Sequence, residues 1–254
     1  MNRPPTPQPA AVVEQALATL APRWTAWIVQ TLHQHGPLKL ALLSKQLPFV
    51  TYGSLNFRVS AMTESGLLRR RTRAYPIVLS PAAAALPPLH AALADWSRRH
   101  TLLDGTTVAD AERVEDALQR LRHRHLLPTI GWIADHPGTT PAQLAENLNI
   151  PYSSAAYRLD RLVTDGLLRG TGRTPSNRGS VVLTAAGQEA PALLAHLGAW
   201  AEGAALPASG RTARHSSRAA AAVRRSTAPL APAFSHAETA RPWSPPPAAP
   251  ARGR

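Results

Sequence analysis

The sequence predicts a mainly α-helical chain in which one small domain, several helices followed by a β-hairpin, occurs twice in tandem. Three observations predict this. Apolar residues recur at helical spacing through most of residues 11–204. Short extended stretches rich in basic residues follow the fourth helix-like segment of each half. Finally, the second half repeats motifs of the first in the same order. Val13-Glu14-Gln15-Ala16-Leu17 returns as Val114-Glu115-Asp116-Ala117-Leu118, and Gly66-Leu67-Leu68-Arg69 as Gly166-Leu167-Leu168-Arg169. Tyr52, Arg58, Leu79-Ser80 and Trp96 return as Tyr152, Arg158, Leu183-Thr184 and Trp200. A spacing of about 100 residues marks duplication of a whole domain, not a short-period solenoid.

The first copy reads in order. Val12, Val13, Ala16, Leu17 and Leu20 lie on one helical face. A second helix runs from about Trp24 to His35 and stops at Gly36-Pro37. A short helix carrying Leu40, Leu43 and Leu47 ends at Pro48. Thr51 or Ser54 caps the next helix. That helix turns Leu55, Val59 and Met62 inward, shows Ser54, Asn56, Phe57, Arg58 and Ala61 outward, and closes at Gly66. Leu67–Thr72 and Tyr75–Leu79 form a hairpin, and a last helix spans about Ala85 to Arg98. In the second copy Pro137-Gly138 breaks the second helix, Pro141–Asn147 is the short helix, and Ser153–Asp165 is the helix after the turn. A hairpin with Ser176-Asn177-Arg178-Gly179 at its tip and a final helix over Pro191–Glu202 complete it. The expected organisation is therefore a disordered N-terminus (1–10), domain 1 (11–100), a linker (101–111), domain 2 (112–204), and a disordered basic Ala/Pro/Arg-rich tail (205–254).

A short helix, a tight turn, a second helix and a basic hairpin make a winged helix-turn-helix. The order resembles the HxlR-type branch of the winged helix regulators, with MarR-like proteins as broader relatives. The likeness rests on Trp24-Thr25, Gly36-Pro37, Leu43 through Leu47-Pro48, Leu55, Arg58-Val59 and Gly66-Leu67-Leu68, and on Leu183-Thr184-Ala185-Ala186-Gly187 with Trp200. The chain departs from that pattern in lacking the N-terminal cysteine of many members. Its first wing is shorter, Ala82–Ala85 replace the glycine after that wing, and it carries two domains where members usually carry one and dimerise. The resemblance implies a bacterial, sequence-specific regulator of transcription bound to double-stranded DNA.

Charge agrees with a polyanionic partner: 28 Lys+Arg against 15 Asp+Glu leave +13. Residues 11–100 carry +7, residues 101–204 carry −2, and the tail carries +7, so the first copy is the more basic domain. Base-edge contacts in the major groove need side chains on the helix after the turn, and phosphate contacts need cations beside it. The first-copy candidates are Tyr52, Ser54, Asn56 and Arg58, with Lys39 and Lys45 near phosphates and Arg69, Arg70, Arg71 and Arg73 in the wing. Second-copy candidates are Ser153, Ser154, Tyr157, Arg158 and Arg161, with wing residues Arg173 and Arg178. Arg58 and Arg158 stand out because both copies carry them on the same helix. Self-association is expected either as a homodimer of chains or, since two domains are joined in one chain, as an intramolecular pseudo-dimer closed by Leu89, Leu93, Trp96, Leu193, Leu197 and Trp200. Its two helices would read unlike half-sites about one DNA turn, ~34 Å, apart.

Other classes find little support. The chain has no cysteine, which removes disulfides and thiolate chemistry. No phosphate-binding loop, nucleophile elbow or His-Glu-x-x-His is present, and the His33/His35 and His123/His125 pairs face different ways on a helix. No catalytic residue, metal or cofactor is expected, and no residue specifies a small-molecule effector. Without a long apolar run or a signal core, a cytoplasmic location is expected. Two alternatives remain: a winged helix module for protein–protein assembly, and a low-specificity nucleoid-type binder.

Overall fold

Local sequence explains the elements of the first half. In the computed structural model, which describes residues 10–72, 75–100, 102, 108–171 and 179–204, helix α1 (Ala10–Leu20) buries Val13, Ala16, Leu17 and Leu20. Helix α2 (Thr25–His35) begins after Trp24, held in the left-handed region at φ 72°, and stops at Gly36 with φ 74°. Helix α3 (Leu40–Gln46) follows. Helix α4 (Tyr52–Glu64) is capped by Thr51, whose Oγ1 accepts the Ser54 N–H at 3.3 Å. Gly66, at φ 79°, ends that helix as the glycine there predicts. Strands β1 (Leu68–Arg69) and β2 (Val78–Leu79) pair antiparallel, Leu68 opposite Leu79, and a bridge from Ile77 to Leu38 ties the wing to the segment before α3. A short α5 (Pro81–Ala84) and a longer α6 (Pro87–Arg99) close the half.

The second half repeats this order. It comprises α7 (Asp110–Leu121), α8 (Leu126–Asp135), α9 (Pro141–Leu148), α10 (Tyr152–Thr164), β3 (Leu168–Gly170), β4 (Val181–Leu183) and α11 (Ala185–Gly203). Thr140 and Gln143 form a capping box at the start of α9. Leu168 lies opposite Leu183, and Val181 bridges to Thr139 as Ile77 does to Leu38. Among the described residues the chain is thus mainly α with two small two-stranded antiparallel sheets, consistent with winged helix domains.

The ends of the halves differ from expectation. One helix was expected from Ala85; the structure has two, because Pro87 and Pro88 remove consecutive backbone donors and interrupt the path from Ser80. In the second half a lone proline, Pro191, lies inside α11. The helix starts before it, at Ala185 rather than at Pro191, because Thr184 Oγ1 accepts the Gly187 N–H at 3.2 Å and nucleates the first turn.

The two halves share one core, and the described residues lie within one compact unit. Helix α6 packs on α7, α1 on α11, α2 on α7, and α6 on α11. The six apolar residues expected at the junction, Leu89, Leu93, Trp96, Leu193, Leu197 and Trp200, are all buried. Two pairs of polar contacts across it are reciprocal. Trp96 Nε1 donates to the Ala186 carbonyl at 3.3 Å, and its counterpart Trp200 Nε1 donates to the Ala82 carbonyl at 2.9 Å. Glu14 of α1 accepts the N–H of His125, the left-handed residue before α8, at 3.2 Å. Its counterpart Glu115 of α7 accepts from Trp24 and Ala26 at the start of α2. Neither helix start has a cap from its own side chain, so each half supplies the carboxylate that caps the other's second helix.

Candidate nucleic-acid interface

Helices α4 and α10 follow the turn in each half and present matching patterns. Inward, Leu55, Val59 and Met62 match Ala155, Leu159 and Leu162, all buried, and Ala61, expected to face outward, is buried as well. Outward, Tyr52 is 56% and Tyr152 54% exposed, while Phe57 reaches 74% and Tyr157 72%. Ser54, Ser153 and Ser154 are exposed and Asn56 is half-buried. These side chains share the outer surface of their helices with Gly53 and Ser60 in the first half and with Asp160 and Arg161 in the second. Tyrosine at positions 52 and 152 opens each helix and stays in solvent; the cap in the first half comes from Thr51.

The cations sit around this surface unequally. Lys39 directly precedes α3 and Lys45 lies in its last turn, both exposed. In the first wing Arg69 and Arg71 are exposed, Arg70 is half-buried, and the Arg71 guanidinium lies 6.0 Å from the Tyr75 ring centre. Arg73, Arg173 and Arg178 fall outside the described residues, as do residues 1–9, most of the linker and the tail from 205. Arg169, absent from the sequence candidates, is exposed on β3 at the place of Arg69. Its signal was present: it ends the repeated Gly-Leu-Leu-Arg motif.

Arg58 and Arg158 do not lie on the outer surface as the helical spacing suggested. Both are half-buried on the flank of their helices. Arg58 Nη2 donates to the Thr19 carbonyl of α1 at 3.4 Å, and its charge acts on the buried Glu115. Arg158 lies near Arg124, and desolvation followed by that like charge lowers its pKa below the ordinary arginine value. The physical reason is that α1 and the segment after α7 pack along this flank, which the helix's own periodicity cannot show. Arg161 lies 3.7 Å from Asp165 as an i,i+4 pair, so part of its charge is already answered.

Phe57 is the residue that sequence reasoning placed outward without assigning it a role at the interface. Among the described residues it is the most exposed of the large apolar side chains, and it is the counterpart of Tyr157.

The family model described as MarR family matches residues 127–178. That stretch begins in α8, contains α9 and α10, and continues through β3. It therefore covers the helix-turn-helix and the first wing strand of the second half, and it supports a MarR-like winged helix regulator. No curated protein and no solved structure matches the chain. Among the described residues no group of three or more His, Asp or Glu is placed to hold a metal ion, and no helix is long and apolar enough to cross a membrane.

Proposed function

We propose that the chain is a sequence-specific regulator of transcription that binds double-stranded DNA through α4 and α10. In this reading the two helices occupy successive major-groove segments, while Arg69, Arg71 and Arg169 of the wings hold the backbone. The observation that carries it is the paired surface itself: equivalent exposed residues on both helices after the turn, each beside an arginine-bearing hairpin. The family match over one of those halves supports the same reading. The chain acts as an intramolecular pseudo-dimer of two tandem winged helix domains, spanning 11–100 and 112–204, and a single chain presents both reading heads. The reciprocal Trp96/Trp200 and Glu14/Glu115 contacts support it. Because Asn56 corresponds to Ala156 in the repeat, and Phe57 to Tyr157, the half-sites are unlike.

Half-buried Arg58 holds α4 against α1 through the Thr19 carbonyl, and the exposed side chains make the base contacts. Lys39, Lys45, Ser54, Ser153 and Ser154 contact phosphates, which give affinity and register without sequence choice.

The test is selection of bound duplexes from a random pool, followed by titration of the selected and random duplexes at two salt concentrations. A selected site bound at least tenfold more tightly than random DNA is expected. The Arg69→Ala, Arg71→Ala double variant should bind more weakly and lower the salt slope by about two, one for each phosphate that no longer meets an arginine. Equal binding of all duplexes at both salts would leave a low-specificity binder instead.

A further inference from the structure

The exposed rings of Phe57 and Tyr157 are left over when the arginines, serines and wings have been given their roles. They occupy equivalent positions on α4 and α10 and are exposed to nearly the same extent, 74% and 72%. One exposed aromatic residue on a soluble domain needs no explanation. Two at the same place in both copies, on the helices that follow the turn, do.

The surroundings of each ring identify what it meets. On a helix the neighbours of residue 57 are residues 53, 54, 60 and 61, here Gly53, Ser54, Ser60 and Ala61. All are small, so the Phe57 ring stands alone above a low surface. Around Tyr157 the corresponding residues are Ser153, Ser154, Asp160 and Arg161. A protein-binding site would extend the apolar surface around the ring. These rings instead have small or polar neighbours, with the exposed cations Lys39, Lys45, Arg69 and Arg71 on the same half as Phe57 and Arg169 on the same half as Tyr157. Charge complementarity therefore selects a polyanion, and within it an isolated apolar point. The major groove of DNA offers one such group, the C5-methyl of thymine.

We propose that Phe57 and Tyr157 each read a thymine methyl, one in each half-site. The inference rests on the DNA-binding reading above. Phe57 makes the apolar contact only. Tyr157 adds a hydroxyl that hydrogen-bonds a neighbouring base edge or phosphate, which further separates the two half-sites.

The experiment uses the full chain and its selected duplex, with each thymine replaced in turn by deoxyuridine. That exchange removes the methyl and keeps every hydrogen-bonding group. One position in each half-site should lose about fourfold in affinity, the equivalent of one methyl-sized group no longer buried. In Phe57→Ala the loss should vanish at the first half-site and persist at the second. Tyr157→Ala should do the reverse, and Tyr157→Phe should retain the methyl effect. Both rings are solvent-exposed, so these variants keep the fold. If the wild-type chain prefers a selected duplex yet no thymine is methyl-sensitive, or if the sensitivity survives both alanine variants, the methyl-reading proposal is wrong while DNA recognition stands. If no duplex is preferred over random DNA, both fail together.

Discussion

Glu115 offers a direct measure of how the two halves are joined, and Glu115→Gln is the perturbation. The carboxylate belongs to α7 in the second half but caps α2 in the first, accepting from the Trp24 and Ala26 N–H groups. It is only 8% exposed, and its Oε1 is buried with no hydrogen-bond partner among the described residues. Burial dominates its titration, raising its pKa from 4.5 to about 7 against the opposing pull of those N–H groups, Arg23 and Arg58. The sign follows from proton counting. Between pH 4.5 and 7 the folded chain holds a proton that the unfolded chain has lost, so this group makes the protein less stable as pH rises through that window. The shift corresponds to at most ~3 kcal/mol across the window at ~1.4 kcal/mol per unit. Glutamine keeps an acceptor for the α2 start and does not titrate. Urea unfolding of the wild type and Glu115→Gln at pH 5 and pH 8 should show the wild type losing about 1–3 kcal/mol relative to the variant at the higher pH. A difference independent of pH, or a wild type that gains on the variant as pH rises, would refute the account of a desolvated cross-cap.

Other consequences follow from single contacts. A Cβ at Gly187 would meet the Leu167 carbonyl oxygen at 2.2 Å, a backbone atom that cannot swing away. Gly187→Ala should therefore destabilise by roughly 2 kcal/mol or more, read as a lowered thermal midpoint. His90 is buried, and desolvation with the charge of His33 lowers its pKa from 6.5 to about 4. Its neutral form contributes stability that is complete above pH 6.5 and is lost as pH falls toward 4. His90→Gln should flatten that acid limb relative to wild type in unfolding curves taken across the window, and an unchanged limb would contradict the burial argument. Trp96→Phe and Trp200→Phe each remove one of the reciprocal indole bonds. Each should cost about 1 kcal/mol in chemical denaturation, with a similar effect on either side of the junction.

Much of this architecture is legible in the order of residues because it is built from local rules. Helical spacing places Val13, Ala16, Leu17 and Leu20 on one face, the Thr51 hydroxyl reaches the Ser54 N–H three residues on, and Gly66 takes the left-handed turn that a β-carbon opposes. The repeat then carries the same reasoning to α7–α11, and it marks Trp96 and Trp200 as equivalent before their partners are known. The outward aromatic at positions 57 and 157 is legible for the same reason, since a helix's own period separates its wet face from its core face.

What the order of residues could not decide are contacts between residues far apart in the chain. Nothing local to Glu14 or Glu115 says that each will cap a helix of the opposite half, because a carboxylate on a helix surface has the same signature whether it meets solvent or a distant N-terminus. Arg58 and Arg158 carry the same lesson: their position on a turn is set by periodicity, but their half-burial is set by what packs beside that turn, including the Thr19 carbonyl for Arg58. Even Pro191, a helix boundary by local rule, lies inside α11, whose apolar face packs on α1 and α6. Sequence alone determined the repeated helix, turn and wing pattern and its charge. The tertiary structure decided which carboxylate caps which helix and which side chains remain free to reach a ligand, because packing between distant elements settles what solvent can still touch.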